Sequence, residues 1–167
     1  TPIGITLGDA LHAGLARIAT LLWRPLVGDL LFNTVSLMLA TGFVCVVFGS
    51  LAAFLVERTD LPGRATFSML LTAPLAVPAF VASYAWVSIS PALEGFAGAL
   101  LVVAFAYFPL VFLPVSAALR GLDPALEESA RALGDPPWRC IRRVVLPQLR
   151  TAMLGGALLV ALNVLVE

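Results

Sequence analysis

The chain has 167 residues, of which 60% are hydrophobic and only 12% charged, with a mean hydropathy of +1.01. That charged fraction is about half of what ordinary soluble domains carry, so a water-soluble fold is disfavoured. The formal net charge is zero and all ten basic residues are arginine, so no global basic field points to nucleic acid as a partner.

In chain order, the first thirty residues place Leu7, Leu11, Leu15, Ile18 and Leu22 at helical spacing, with Asp9, His12 and Arg17 elsewhere. This predicts an amphipathic segment, residues 1–30, at the membrane interface or against a bundle. The stretch RPLVGD (24–29) should break it before the first span. The start lacks a basic n-region and a small-residue cleavage site, so no removable signal peptide is expected. It also lacks an initiator Met, which suggests a piece of a longer protein. His12 is the single histidine, and Cys45 and Cys140 are the two cysteines. Neither set has the clustering of a metal site or a disulfide framework.

Four long runs follow in which no residue is charged: Asp29 to Glu57, Arg64 to Glu94, Glu94 to Arg120, and from Arg150 to Glu167. A helix needs about 20 mostly apolar residues to cross a bilayer's hydrocarbon core. The expected spans are 31–56, 65–90, 97–119 and 151–167, the last incomplete. They predict an all-α, polytopic transmembrane helical bundle over 31–167. Arginines concentrate in 57–64 and 120–150, whereas the loop near 90–95 has none. Basic residues beside span ends stay cytoplasmic. Both arginine-bearing loops are therefore expected inside, and the amphipathic start and 90–96 outside, on the periplasmic side. An outside start in turn predicts a further span before residue 1.

Small residues mark the span faces. Gly42, Cys45, Gly49 and Ala52 trace one side of the first span, and Ala152 and Gly156 form a small-xxx-small pair in the last, a pattern that brings helix backbones close. Pro74 and Pro78 should bend the second span, and Pro109 and Pro114 the third. Carbonyls freed in this way must find a partner or line a wet cavity, so these four prolines mark a possible translocation pathway. No expected span contains an acidic or basic side chain before the terminal Glu167. That argues against ion-coupled carriers and against channels with charged filters, because both keep such groups at membrane depth. Driving energy would have to come from elsewhere.

The polar exception is 120–150. GLDPALEESARALG reads as a helix capped by Asp123, with Pro124 at its first position and Gly134 as its left-handed stop. Leu126, Ala130 and Leu133 share an apolar face, and Glu127 and Arg131 form an i, i+4 pair. A second short helix is expected with Asp135 as cap and Pro136 first, Trp138, Ile141 and Val145 on its apolar face, and Arg139, Arg142 and Arg143 opposite. Pro147 should then bend the chain into the last span. Two such helices suit docking in a protein groove or lying on anionic lipid.

This stretch resembles the cytoplasmic EAA loop of binding-protein-dependent ABC importer permeases. That pattern is Glu-Ala-Ala, three residues, Gly, nine residues, Ile, one residue, Leu-Pro. Glu128, Ser129 and Ala130 occupy the first positions, then Gly134, Val144, Leu146 and Pro147, with Ser for Ala at 129 and Val for Ile at 144 as departures. The likeness extends from about Leu31 to the end. NTVSLML, LVERTDLPGR and LPQLRTAMLGGALLVALNVLVE look like the ferric-iron branch.

The resemblance implies an incomplete type I permease core in the bacterial inner membrane. It also implies no catalytic residue, metal or cofactor in this chain, with ATP bound on a separate cytoplasmic ATPase dimer. The remaining partners would be a periplasmic substrate-binding protein, a second permease half or copy, and the bilayer. Residues Glu128 to Pro147 would couple the permease to the ATPase. Thiamine, sulfate and polyamine remain alternative cargoes. A non-transporting anchor with a partner-docking loop remains an alternative class.

Overall fold

The structure, a computed structural model, describes residues 25–89 and 95–166. The expected amphipathic start and the loop around 90–94 lie outside them. By its internal contacts the chain divides into Thr1–Ser36 and Leu37–Glu167, and the packing below concerns the second unit. Among the described residues the elements are helices, with no strand. In order they are α1 (Pro25–Arg58), α2 (Arg64–Thr72) with a 3-10 turn at Ala73–Ala76, α3 (Ala79–Ile89), α4 (Phe96–Tyr107), α5 (Pro109–Arg120), α6 (Pro124–Ala132), α7 (Pro137–Cys140) and α8 (Leu146–Val166). A π turn at Ile141–Val145 joins α7 to α8.

Among the described residues three helices are long and apolar enough to cross a membrane: α1, the 25-residue rod Phe96–Arg120 made of α4 and α5, and the 30-residue helix Pro137–Val166. The chain is thus an all-α polytopic membrane protein. Its outer faces are apolar, with Leu39, Phe43, Leu51, Leu154, Leu158 and Leu162 all exposed. In water such a surface would aggregate; in lipid it is solvated.

The expected span 65–90 is not one helix. Arg64–Ala76 and Ala79–Ile89 are bent by 92° at their break. At about 1.5 Å per residue, neither half reaches across roughly 30 Å of hydrocarbon. Pro74 sits in the 3-10 turn, Val77 is extended (φ −107°, ψ 121°), and Pro78 precedes α3. Two prolines four apart remove two successive ladder bonds, so the chain turns sharply instead of kinking gently.

The register of the neighbouring helices decides whether this bent pair crosses. Cys45 Sγ faces Ala104 O at 3.5 Å, Gly49 lies against Phe108–Phe112, and Glu57 meets Arg120. These pairs lie 59 residues apart for Cys45–Ala104 and 63 for Glu57–Arg120. A near-constant offset means that α1 and the α4–α5 rod run parallel. Two parallel spans need one return crossing between them, and α2 with α3 is the chain available to make it. The pair is therefore a broken span rather than a re-entrant loop.

The core forms where α1, α5 and α8 meet, around Cys45, Ala53, Val111, Phe112, Val115, Val145, Leu149 and Val160. Glycine sets the approach at two places. A Cβ on Gly49 would lie 2.9 Å from Phe108 O and from Val111 Cβ, and one on Gly156 would lie 2.8 Å from Val111 Cα. Gly42 shows no such crowding. Pro114, inside α5, has no N–H for Leu110 O, and that carbonyl is the one facing Gly156. The bare glycine backbone lets a Cα–H approach the freed oxygen.

Candidate functional site: a capped polar helix at one end of the bundle

The polar stretch lies where α1, α5 and α8 end or begin. Asp123 caps α6 as its spacing predicts: its side chain accepts from Ala125 N at 2.9 Å, and Pro124 takes the first helical position. At the other end Gly134 has φ +88°. Gly134 N donates to Arg131 O at 2.9 Å and Asp135 N to Ala130 O at 3.1 Å. These two bonds are the 5→2 and 6→1 pair of a Schellman stop, which turns the chain sharply and satisfies the last carbonyls.

The second helix departs from expectation in three ways. Its cap is Pro136 and it begins at Pro137. Asp135 instead pairs with Arg139 at 3.3 Å and lies 3.9 Å from Arg143. Where a bend at Pro147 is expected, the helix continues through that residue to Val166 as one run. Just before that proline the ladder widens to a π turn, with Leu146 N donating to Ile141 O. The wider turn gives the ring room and relieves the clash that would have bent the helix. The third departure is Val145, which is buried in the core instead of on a docking face.

The remaining EAA-pattern residues differ in their exposure. Glu128 and Ser129 are exposed, and Ser129 Oγ donates to Ala125 O at 2.7 Å. Ala130 and Val144 are half-buried, while Leu146 and Pro147 are exposed. Beside them stand apolar side chains open to solvent: Leu133 at 88%, Trp138 at 60%, and Leu126 and Ile141 to lesser degrees. Arg139 lies 5.5 Å from the Trp138 ring, a cation–π contact. Large exposed apolar groups rimmed by arginines have the chemistry that suits a protein groove or an anionic lipid surface.

The possible pathway prolines fall into two groups: Pro74 and Pro78 at the broken span, and Pro109 and Pro114 in the α4–α5 rod, where Pro109 is fully buried. A cavity of about 540 Å³ opens between α1, α2 and α4, lined by groups such as Phe48, Leu71, Leu101 and Phe105. Its apolar lining offers nothing to replace an ion's water. Among the described residues no group of His, Cys, Asp and Glu could hold a metal ion.

Spacing alone missed four residues. Glu127 does not pair with Arg131; its Oε1 lies 2.6 Å from Arg58 Nη2, close in distance though not aligned as a hydrogen bond. Next to it Arg120 Nε donates to Glu57 Oε1 at 2.9 Å. These partners are more than sixty residues apart, and no local rule joins them. Their one trace in the sequence is complementary charge at three helix ends.

Comparison with known proteins decides the family. Residues 45–167 match the binding-protein-dependent transport system inner membrane component family. The chain belongs to this family of membrane transport permeases. It is 40% identical over 158 residues to the Fe(3+)-transport system permease protein FbpB 2 of Haemophilus influenzae, covering 95% of this chain and 31% of that protein. It is 33% identical to the sulfate transport system permease protein CysT of Escherichia coli, over 68% of this chain and 46% of that one. To the molybdenum transport system permease protein ModB of Escherichia coli it is 31% identical, over 67% and 56%. The permease chain thus spans less than two thirds of the length of each of these relatives.

Proposed function

We propose that this chain is the membrane core of an ATP-driven importer in the bacterial inner membrane, and that residues 120–150 form its cytoplasmic lever. One observation carries the reading. A short helix, α6, fixed by an Asp cap and a left-handed glycine, and the first turns of the long helix Pro137–Val166 hold exposed Leu126, Leu133 and Trp138 beside the ends of the spans. Such a rigid amphipathic pair can fit a cleft on a cytoplasmic ATPase. The second helix is continuous with α8, so a push on it is delivered directly into the bundle. ATP-driven closure of the ATPase dimer would then rock the spans between outward- and inward-facing states. No ionisable group is needed at membrane depth. A periplasmic binding protein would deliver cargo, and a second permease half or copy would complete the bundle. The broken span at Pro74–Pro78 is the best candidate for the pathway wall, since unwound backbone at membrane depth is tolerated where it lines a cavity.

Ferric iron is the favoured cargo, by likeness to the Haemophilus influenzae permease. The sulfate and molybdenum permeases support an oxyanion as the second reading. Gly134→Val tests the lever. An added Cβ at Gly134 meets nothing within 4 Å, so the damage is backbone strain at φ +88° and not a clash. In the full-length protein with its ATPase and binding protein, uptake and cargo-stimulated ATP hydrolysis should both fall, while membrane insertion is retained. Uptake at the wild-type rate would reject the lever.

A further inference from the structure

The dipeptide Glu57–Arg58 closes α1, and neither crossing a membrane nor docking an ATPase calls for it. Its two side chains reach different elements. Glu57 Oε1 takes Arg120 Nε at the end of α5, and Arg58 Nη2 meets Glu127 Oε1 on α6. Both carboxylates are well covered, with side-chain exposures of 6% for Glu57 and 14% for Glu127.

The contacts of α6 give this pair its importance. No residue of α6 is buried, so the helix is not held by core packing. Its ends are a cap at Asp123 and a glycine turn at Gly134. Besides these, Cys140 Sγ on α7 approaches Glu127 O at 3.9 Å. Among the described residues, Arg58–Glu127 is the ion pair between α6 and a span. Without it α6 could swing about its two ends and leave α1 where it stood. With it, a displacement of α6 pulls on the end of α1, and through Glu57–Arg120 on the end of α5.

We propose that Arg58 and Glu127 are positioning residues for energy coupling: their ion pair, braced by Glu57–Arg120, passes movement of the docking helix into the α1–α5 pair. This deepens the lever reading above and rests on it. Coupling of this kind needs a contiguous physical link that both ends bias. Two ion pairs on adjacent residues of one helix end supply such a link. Covered carboxylates stay with their partners, because a lone charge there would be poorly solvated.

The test uses the full-length permease assembled with its ATPase and binding protein in proteoliposomes. Uptake of radiolabelled ferric iron, and in parallel of sulfate, is measured with ATP hydrolysis in one preparation. Glu127→Gln and Arg58→Gln should each lower cargo moved per ATP hydrolysed by about fivefold or more, the low end of usual coupling effects. The charge swap R58E/E127R should restore much of the ratio. An unchanged ratio with lower thermal stability would mean a merely structural contact and would overturn the proposal.

A second measurement does not depend on charge variants folding. In R58C/E127C, a flexible thiol cross-linker of the ion pair's reach should leave uptake intact, because the link stays closed through the cycle. Loss of uptake on cross-linking, reversed by cleaving the linker, would show that α6 must part from α1 and would sink the idea. If the wild-type assembly neither takes up cargo nor shows stimulated hydrolysis, the transport reading fails and this one with it. Wild-type uptake with unaltered variants rejects only the ion-pair linkage.

Discussion

Asp123 and Gly134 show how much single residues contribute to the proposed lever. No residue of α6 is fully buried, so its stability rests on its ends and on the Arg58–Glu127 pair. The Asp123 carboxylate satisfies one N-terminal amide, and replacing such a cap with alanine costs about 1 kcal/mol. Asp123→Ala should therefore speed amide exchange across 125–132 by roughly fivefold while α8 stays protected, as hydrogen-exchange mass spectrometry would register. These two residues were legible from sequence because capping chemistry is local: the oxygen and the amide it accepts are two residues apart. Asp135 was misread for the same reason. Followed by a proline, it has the pattern of a cap, but its carboxylate goes to Arg139 and Arg143, one turn and two turns along the helix.

At the scale of elements, close packing is carried by backbone as much as by side chains. Gly155 and Gly156 are neighbours, yet an added Cβ meets nothing within 4 Å at the first and lies 2.8 Å from Val111 Cα at the second. Gly156→Ala should therefore destabilise the purified permease by about 1–3 kcal/mol, the range for overpacking, while Gly155→Ala should change little. Thermal unfolding in detergent would separate them. The small-residue pattern named Gly156 and Gly49 correctly but included Gly42, which is not crowded. A stripe gives the face of a helix, not the depth at which its neighbour crosses. Proline was harder still. Pro74 and Pro78 break a span by 92°, whereas Pro147 is absorbed by a π turn in an unbroken helix. The sequence marks where a ladder bond is lost; surrounding packing determines whether the chain bends or the turn widens.

For the whole molecule, the question is which side of the membrane holds the lever. Thiol labelling needs an accessible sulfur, and Cys140 is buried, so its silence would mean nothing. Leu133 is 88% exposed and serves instead. In intact cells, Leu133→Cys should react with a membrane-impermeant maleimide only after the inner membrane is opened. Labelling from the periplasm would overturn the proposed orientation and the ATPase-docking role together.

Hydropathy, charge distribution and local capping by themselves determined the class of this protein: an all-α membrane chain with one polar loop that opens on a short capped helix. Those are properties of neighbours in sequence, where transfer free energy and hydrogen-bond geometry act over a few residues. Only the tertiary structure decided that α1 and α5 run parallel, that α2 and α3 cross as a broken pair, and that Arg58 holds Glu127. Each of these depends on groups far apart in the chain, which no local rule of capping or hydropathy brings together.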